Sequence, residues 1–213
     1  MRKEALVVPR ELLFKEKYFQ GFLAAEDHNF ITSVLRYHSY YPRGSALESN
    51  ESLQHIIPYV WIVNSDTKKV FLYKRVLNQN KKEGEYREVR YLNKYSGGVG
   101  GHSDRDTDER SFDPIQSAMI RELREEVVMN EYPQPFIVGY LNDDTDSLGK
   151  VHFGIVAIAE TNELVNCRDA EGLASGDFYS IEEVDSLLAH PENQFETWTP
   201  LSWPKVKEHL QQL

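Results

Sequence analysis

The chain has 213 residues, a length that suits one domain with an appended segment. Hydrophobic residues make up 40% and charged residues 27%, which excludes a wholly disordered chain and a collagen-like repeat. A formal net charge of −10 argues against a general binder of nucleic-acid polymers, and the single cysteine, Cys167, excludes an intrachain disulfide and a zinc site built from several thiolates.

The first 50 residues are predicted to form an N-terminal extension. They carry two helical patterns, over residues 9–22 and 27–38, followed by a loop over residues 40–51 that is rich in glycine, proline and serine. We therefore expect two parts, an extension over residues 1–50 and a main domain over residues 51–213. No apolar run approaches the roughly 20 residues of a membrane span, so we expect a cytoplasmic protein without a membrane partner.

The main domain has the alternating, β-branched patterns of a sheet. Strands are predicted for residues 57–63, 70–73, 86–92, 136–141 and 151–159, and a further strand begins near Tyr95. Turns are predicted at residues 64–67 and 143–149, a polar loop at residues 78–85, and helices at residues 114–129, 181–188 and 205–212. Strands in mixed order around few helices indicate an α/β or α+β domain.

The helix over residues 114–129 carries acidic residues on its apolar face. Asp113 is positioned to cap its first turn. At about 100° per residue, Glu122 and Glu126 fall in the middle of the apolar stripe, while Glu125 falls on its edge beside Arg121. The stripe consists of Ile115, Ala118, Met119, Leu123 and Met129.

Buried carboxylates need compensation by positive charge. Removing one carboxylate from water costs several kcal/mol of free energy. One arginine does not neutralise three carboxylates. A divalent cation does, and clustered carboxylate oxygens suit Mg²⁺ or Mn²⁺. The alternative is a solvated acidic helix with ordinary salt bridges, but such a run should lie opposite the apolar stripe.

A glycine-rich segment, residues 96–101, precedes this helix and is followed by His102. Glycines allow backbone N–H groups to approach phosphate oxygens closely, so Gly100 and His102 are candidates for substrate binding. Arg75, at the end of an early strand, is a third candidate. The alternatives are a tight turn at a strand end for the glycines and a surface role for Arg75. His152 is either a core histidine or a phosphate contact.

The segment from Gly101 to Met129 resembles the Nudix box, G-x5-E-x7-R-E-U-x-E-E-x-G-U, where U is aliphatic. Arg121-Glu122-Leu123-Arg124-Glu125-Glu126 fits this pattern fully. The chain departs from it in three places. Val128 replaces a glycine, Asp113 replaces the upstream glutamate, and eleven residues separate Gly101 from Asp113 where the pattern has five.

The resemblance implies an α/β/α sandwich with a mixed sheet and a hydrolase that cleaves a pyrophosphate bond in a nucleoside diphosphate linked to another moiety. It implies Mg²⁺ or Mn²⁺ bound by Glu122, Glu125, Glu126 and the carbonyl of Gly101. It also implies catalytic roles for Glu125 and Glu126, with Arg121 orienting a glutamate.

Two other functions on the same fold stay open. One is an isomerase of the isopentenyl diphosphate type, which commonly uses a cysteine, and Cys167 is remote from the glycine turn. The other is a ligand sensor without catalysis, against which the intact glutamates argue. The partner is a small phosphorylated substrate, a nucleotide derivative. Residues 1–50 have two open roles, as a cover over the substrate or as a contact in a homodimer.

Overall fold

The computed structural model describes residues 3–75, 93–109, 113–168 and 173–213. The chain forms two compact units, made of residues 1–59, 100–119 and 136–157 and of residues 60–99, 120–135 and 158–213. The predicted α/β class with a mixed sheet is confirmed. Across the described ranges, no helix combines the length and the apolar character that a membrane span requires.

The elements are numbered in chain order. The strands are β1 Glu4–Pro9, β2 Gly21–Ala24, β3 Ser39–Pro42, β4 Leu53–Asn64, β5 Lys69–Arg75, β6 Tyr95–Ser96, β7 Gly98–Val99, β8 Val127–Val128, β9 Phe136–Asn142, β10 His152–Thr161, β11 Asn166–Cys167 and β12 Leu173–Tyr179. The helices are α1 Arg10–Leu13, α2 Phe30–Tyr37, α3 Ser45–Glu48, α4 Arg105–Asp108, α5 Pro114–Glu126, α6 Ile181–Ala189 and α7 Trp198–Gln212.

The first unit contains strands contributed by the N-terminal residues. β1 pairs antiparallel with β3 and with the start of β4, where Val7 lies opposite His55. β2 pairs antiparallel with β9, which neighbours β10. The apolar run of residues 5–8 in β1 is fully buried, because its β-branched and aliphatic side chains suit a sheet with both faces covered. The boundary at residue 50 stays a prediction, but the residues before it supply β1, β2 and β3.

The helix predicted for residues 9–22 is wrong beyond its first turn. α1 ends at Leu13, and β2 begins at Gly21, whose φ of 87° a glycine adopts at low cost. The apolar residues that suggested a helix enter a cluster of aromatic rings instead. Neighbouring ring centroids in it lie 5.2–6.3 Å apart, and its members are Phe14, Phe19, Phe30, Tyr140 and Phe153. This tertiary packing overrides the local helical pattern.

The rest of the N-terminal region follows the sequence in part. The helix predicted for residues 27–38 is present as α2, and Asn29 caps it by accepting a hydrogen bond from the Ile31 N–H at 3.0 Å. The loop predicted for residues 40–51 is wrong in part, because it contains the end of β3 and the whole of α3. Leu47 of α3 packs with Ala5, Val7 and Leu53, which explains why this short segment is ordered as a helix.

The second unit is built on a β-hairpin. β4 pairs antiparallel with β5, and the predicted turn between them is confirmed by hydrogen bonds from Thr67 to the Asn64 side chain at 2.8 and 2.9 Å. β5 also pairs with β6 and β12, and β4 pairs with β7. The predicted helix at residues 181–188 is present as α6, with a capping box between Ser180 and Glu183.

The final helix, α7, begins at Trp198, earlier than the predicted residue 205. Its Trp203 ring lies 5.8 Å from the ring of Trp61, and the Trp61 indole N–H donates to the Ser202 hydroxyl at 3.0 Å. These contacts with β4 stabilise the part of the helix that precedes residue 205. The predicted polar loop at residues 78–85 and the predicted strand at residues 86–92 lie outside the described residues.

The start of α5 offers a test of the predicted helix cap. The Asp113 carboxylate accepts hydrogen bonds from the N–H groups of Ile115 and Gln116, both at 3.0 Å. Replacing Asp113 with alanine removes this acceptor, so we expect the free energy of unfolding to fall by about 1 kcal/mol in urea denaturation.

Asp113→Asn is the matched control, because asparagine caps helices about as well as aspartate. It should stay within about 0.3 kcal/mol of the parent. An equal loss in both variants would show that the negative charge, and not the capping oxygen, stabilises the helix.

Candidate functional site

The acidic residues of α5 lie where the helical wheel places them. Glu122 and Glu126 are buried, with 7% and 8% of their surface exposed, on the same helix face as the apolar residues Ile115 and Leu123. Glu125 is exposed, as its position at the edge of that face predicts. Two carboxylates are therefore withdrawn from solvent, while a third from the same helix remains accessible.

Arg121 connects two of these carboxylates. One of its terminal nitrogens, Nη1, donates to Glu122 Oε1 at 2.6 Å and to Glu125 Oε2 at 3.1 Å. The Arg121 side chain is only 13% exposed, so its bond to buried Glu122 is a charge-assisted contact in a poorly solvated place. Arg121 thus supplies one positive charge to a helix segment that carries three carboxylates, and it contacts two of them.

The end of α5 is fixed by a small second sheet. β8 follows the helix directly and pairs antiparallel with β11, with Val128 opposite Asn166. The Glu126 carbonyl accepts a hydrogen bond from the Arg168 N–H at 2.8 Å. Val128, which stands where the family pattern has glycine, is thus an exposed strand residue. The predicted end of the helix near residue 129 is three residues too late, because two β-branched valines form this strand.

The glycine turn has packing reasons for its composition. A Cβ atom on Gly97 would lie 2.1 Å from the Trp61 ring, and one on Gly100 would lie 1.9 Å from the Pro58 carbonyl oxygen. Gly98 is part of β7, and its carbonyl accepts the Tyr73 hydroxyl at 2.7 Å. The two close approaches account for Gly97 and Gly100 without a ligand. Roles for Gly100 in substrate binding and for Gly101 in metal binding stay predictions.

His102 belongs to a cluster of three histidines in the first unit. Its Nε2 atom lies 3.0 Å from Nδ1 of His55 and 3.8 Å from Oε1 of Glu48. His152 completes the cluster, with its Nε2 atom 3.9 Å from Oε2 of the same glutamate. We refer to Glu48, His55, His102 and His152 as the histidine cluster. Substrate binding by His102 stays a prediction.

The sequence reasoning singled out His102 and His152 separately and missed Glu48 and His55. The signal for His55 was its place at the start of a buried strand, where a polar side chain requires a partner. Burial lowers the pKa of His55 to about 4, the positive charge of Arg43 lowers it further, and a hydrogen bond to the Leu47 carbonyl acts in the opposite direction. His55 is therefore neutral at physiological pH.

Two further segments rich in aspartate, residues 104–109 and 143–146, make structural contacts. In the segment of residues 104–109, Asp108 accepts a hydrogen bond from the Asp104 N–H at 2.7 Å. In the turn after β9, Asp144 pairs with Arg10 at 2.6 Å, and Asp146 accepts from the Gly149 N–H at 2.8 Å. The side chain of Arg75, predicted to bind substrate, lies outside the described part of the chain.

Comparisons with known proteins identify relatives of the whole chain. No family model matches the sequence. Protein YmaB of Bacillus subtilis (strain 168) is 32% identical over 209 residues, which cover 93% of this chain and 95% of that protein. The solved structure of Tm1382, provisionally named a Nudix hydrolase, is 21% identical with a TM-score of 0.71, over 99% of this chain and 100% of Tm1382. DR0079 from Deinococcus radiodurans is 14% identical with a TM-score of 0.50, over 78% of this chain and 91% of that one.

The coverage and identity of these matches establish the family and the fold of the chain. The YmaB match spans nearly all of both proteins at an identity that establishes common descent, and the Tm1382 match extends the fold assignment to the same span. The resemblance first seen in the Arg121–Glu126 motif is thereby confirmed: the chain belongs to the same family as protein YmaB, and its fold is the Nudix fold.

Proposed function

We propose that the chain is a metal-dependent hydrolase that cleaves a pyrophosphate bond in a nucleoside diphosphate linked to another moiety or in a related phosphorylated small molecule. The observation that carries this proposal is the burial of Glu122 and Glu126 beside a helix residue, Arg121, that cannot neutralise them and Glu125 together. The Nudix fold and the matching R-E-L-R-E-E motif support the same reaction class.

The donor atoms of this acidic group fit the proposed metal. Glu122, Glu125 and Glu126 supply only carboxylate oxygens, which are hard ligands of the kind that Mg²⁺ and Mn²⁺ prefer. When bound, such an ion neutralises diphosphate charge and makes a bound water more acidic. The burial of two ligands also supports a metal, because a cation bound by several carboxylates offsets the cost of their desolvation.

The chain's own residues have separate tasks in this proposal. Glu122 is buried and held by Arg121 at 2.6 Å, so it is fixed before the metal binds. Glu125 is exposed, so its carboxylate has access to substrate and water. Arg121 is a positioning residue that sets the directions of Glu122 and Glu125. Most of the catalytic effect of such a site is positioning and electrostatic stabilisation.

The biological setting of the activity is also part of the proposal. The substrate is a small molecule whose phosphates are bound through the metal, which reconciles an anionic ligand with a protein of net charge −10. We place the activity in the cytoplasm, and we retain a homodimer contact as one of the two roles of residues 1–50.

The glutamates provide the first test of this proposal. A panel of diphosphate compounds is incubated with Mg²⁺ or Mn²⁺, and the release of phosphate or monophosphate is measured. For any compound that is cleaved, Glu125→Gln and Glu126→Gln should each lower kcat by roughly 100-fold or more, on the order of 3 kcal/mol, because an amide is a poor ligand and cannot accept the proton.

Glu131→Gln is the matched control, since Glu131 is an exposed glutamate just beyond the helix. It should retain the parent activity. Melting temperatures of all variants separate a loss of chemistry from a loss of folding. If no diphosphate is cleaved, or if Glu125→Gln and Glu126→Gln are both as active as the parent, the proposed hydrolase is wrong.

Arg121 provides a second test, of positioning. Arg121→Ala should lower kcat by about tenfold or more, because Glu122 and Glu125 lose the donor that orients them, while the KM for substrate changes little. Arg121→Lys keeps the positive charge and should lie between the parent and the alanine variant. A rise in KM with unchanged kcat would instead assign Arg121 to substrate binding.

A further inference from the structure

The histidine cluster gathers metal-ligating atoms from four different parts of the first unit. Glu48 ends α3, His55 lies near the start of β4, His102 follows the glycine turn, and His152 begins β10. One ligand atom from each of the four lies within 4.8 Å of all the others. The centroids of the three imidazole rings are 4.8, 5.2 and 5.4 Å apart. The cluster shares no residue with the acidic group of α5.

Two of the histidines are oriented by backbone carbonyls. His152 Nδ1 lies 2.7 Å from the Leu148 carbonyl, and His55 Nε2 lies 3.3 Å from the Leu47 carbonyl. A carbonyl oxygen can only accept, so each of these ring nitrogens carries the hydrogen in the neutral imidazole. The lone pairs of the two rings are therefore on His152 Nε2 and His55 Nδ1.

The two nitrogens that carry these lone pairs lie next to other members of the histidine cluster. His55 Nδ1 is 3.0 Å from the His102 ring nitrogen and 4.0 Å from the Glu48 carboxylate, and His152 Nε2 is 3.9 Å from that carboxylate. Metal-binding histidines characteristically donate their second N–H to a carbonyl or carboxylate while the other nitrogen binds the ion. Two of the three rings therefore already make the hydrogen bond that is characteristic of a metal-binding histidine.

The spacing is close to that of tetrahedral zinc. Zinc–nitrogen bonds of about 2.0–2.1 Å in a tetrahedron separate two ligand atoms by roughly 3.3 Å. The separations of 3.0, 3.8, 3.9 and 4.0 Å among these ring nitrogens and the Glu48 oxygens lie on both sides of this value. The three wider ones join a ring nitrogen to Glu48, whose side chain is 38% exposed. One ligand atom from each of the four residues lies within 4.8 Å of the others, so binding an ion requires the four side chains to draw together.

Ordinary packing does not require this arrangement. A single buried histidine that satisfies a carbonyl is common in a protein core, and it needs no ion. Here three rings from separate segments, with His55 fully buried and His152 6% exposed, converge on one carboxylate. Imidazole nitrogen favours Zn²⁺ and other late transition metals, whereas the all-oxygen group of α5 suits Mg²⁺ or Mn²⁺.

We propose that Glu48, His55, His102 and His152 bind one divalent transition-metal ion of the zinc type, with none of the glutamates of α5 among its ligands. Four protein ligands fill the coordination of tetrahedral zinc, which makes this a structural site rather than a catalytic one. The ion ties α3 and the segment after the glycine turn to the starts of β4 and β10. This inference holds whether or not the proposed hydrolase activity is found.

The test uses the full chain, freed of metal by a chelator and then titrated with Zn²⁺ alone in a calorimeter. We expect one tight site per chain, a melting temperature that rises with Zn²⁺, and no displacement of the Zn²⁺ by millimolar Mg²⁺. With Co²⁺ in place of Zn²⁺, the visible absorption should have the high intensity of a tetrahedral site. X-ray absorption of the zinc form should report three imidazole nitrogens and one oxygen.

Variants identify which residues bind. His102→Gln and Glu48→Gln, at the two most accessible ligands, should each weaken Zn²⁺ binding by about tenfold or more. His38→Gln replaces a histidine outside the cluster and should bind Zn²⁺ as the parent does. Glu125→Gln should also leave Zn²⁺ binding unchanged, which separates this site from the acidic group of α5. Circular dichroism of the metal-free variants confirms that they are folded.

Three results would overturn the proposal. The first is the absence of a stoichiometric Zn²⁺ site. The second is equal Zn²⁺ affinity in the parent and in both His102→Gln and Glu48→Gln. The third is loss of Zn²⁺ binding in Glu125→Gln, which would place the ion among the glutamates instead. Failure of the hydrolase assay in Mg²⁺ bears on none of these outcomes.

Discussion

The burial of Glu122 and Glu126 is the constraint on which the acidic site depends. A helix of ordinary amphipathic design keeps its carboxylates on the solvated face, and α5 places two of them beside its own core residues. Arg121 offsets part of the cost through its bonds to Glu122 and Glu125. In the proposed function the carboxylates of this face bind a divalent cation, and the proposed chemistry follows from that binding.

The two candidate metal sites differ in ligand chemistry. The glutamates of α5 offer only oxygen, whereas the histidine cluster offers mainly imidazole nitrogen, so each selects a different class of ion. The groups that orient the two sets of ligands differ as well. An arginine side chain orients the carboxylates, while backbone carbonyls of Leu47 and Leu148 orient two of the histidines. A protein with both sites separates the ion that assists catalysis from the ion that stabilises the fold.

The parts of the structure that depend on local sequence patterns were predictable from the sequence, and the parts that depend on contacts between distant residues were not. The start of α5, its buried glutamates and the β4–β5 turn follow from capping, helical period and turn chemistry, which lie within a few residues. The structure of residues 9–22 does not follow from local patterns, because aromatic packing and the pairing of β2 with β9 determine it. The histidine cluster joins positions up to about a hundred residues apart, as between Glu48 and His152, and no spacing rule connects them.

Both ends of α5 are anchored by contacts at the helix termini. Asp113 secures the first turn, and the pairing of β8 with β11 secures the last. The rotational setting of the glutamates is therefore defined by anchors at the helix itself. Because the cap and the strand pairing set this rotation, the connection of eleven residues between Gly101 and Asp113 is compatible with the buried positions of Glu122 and Glu126.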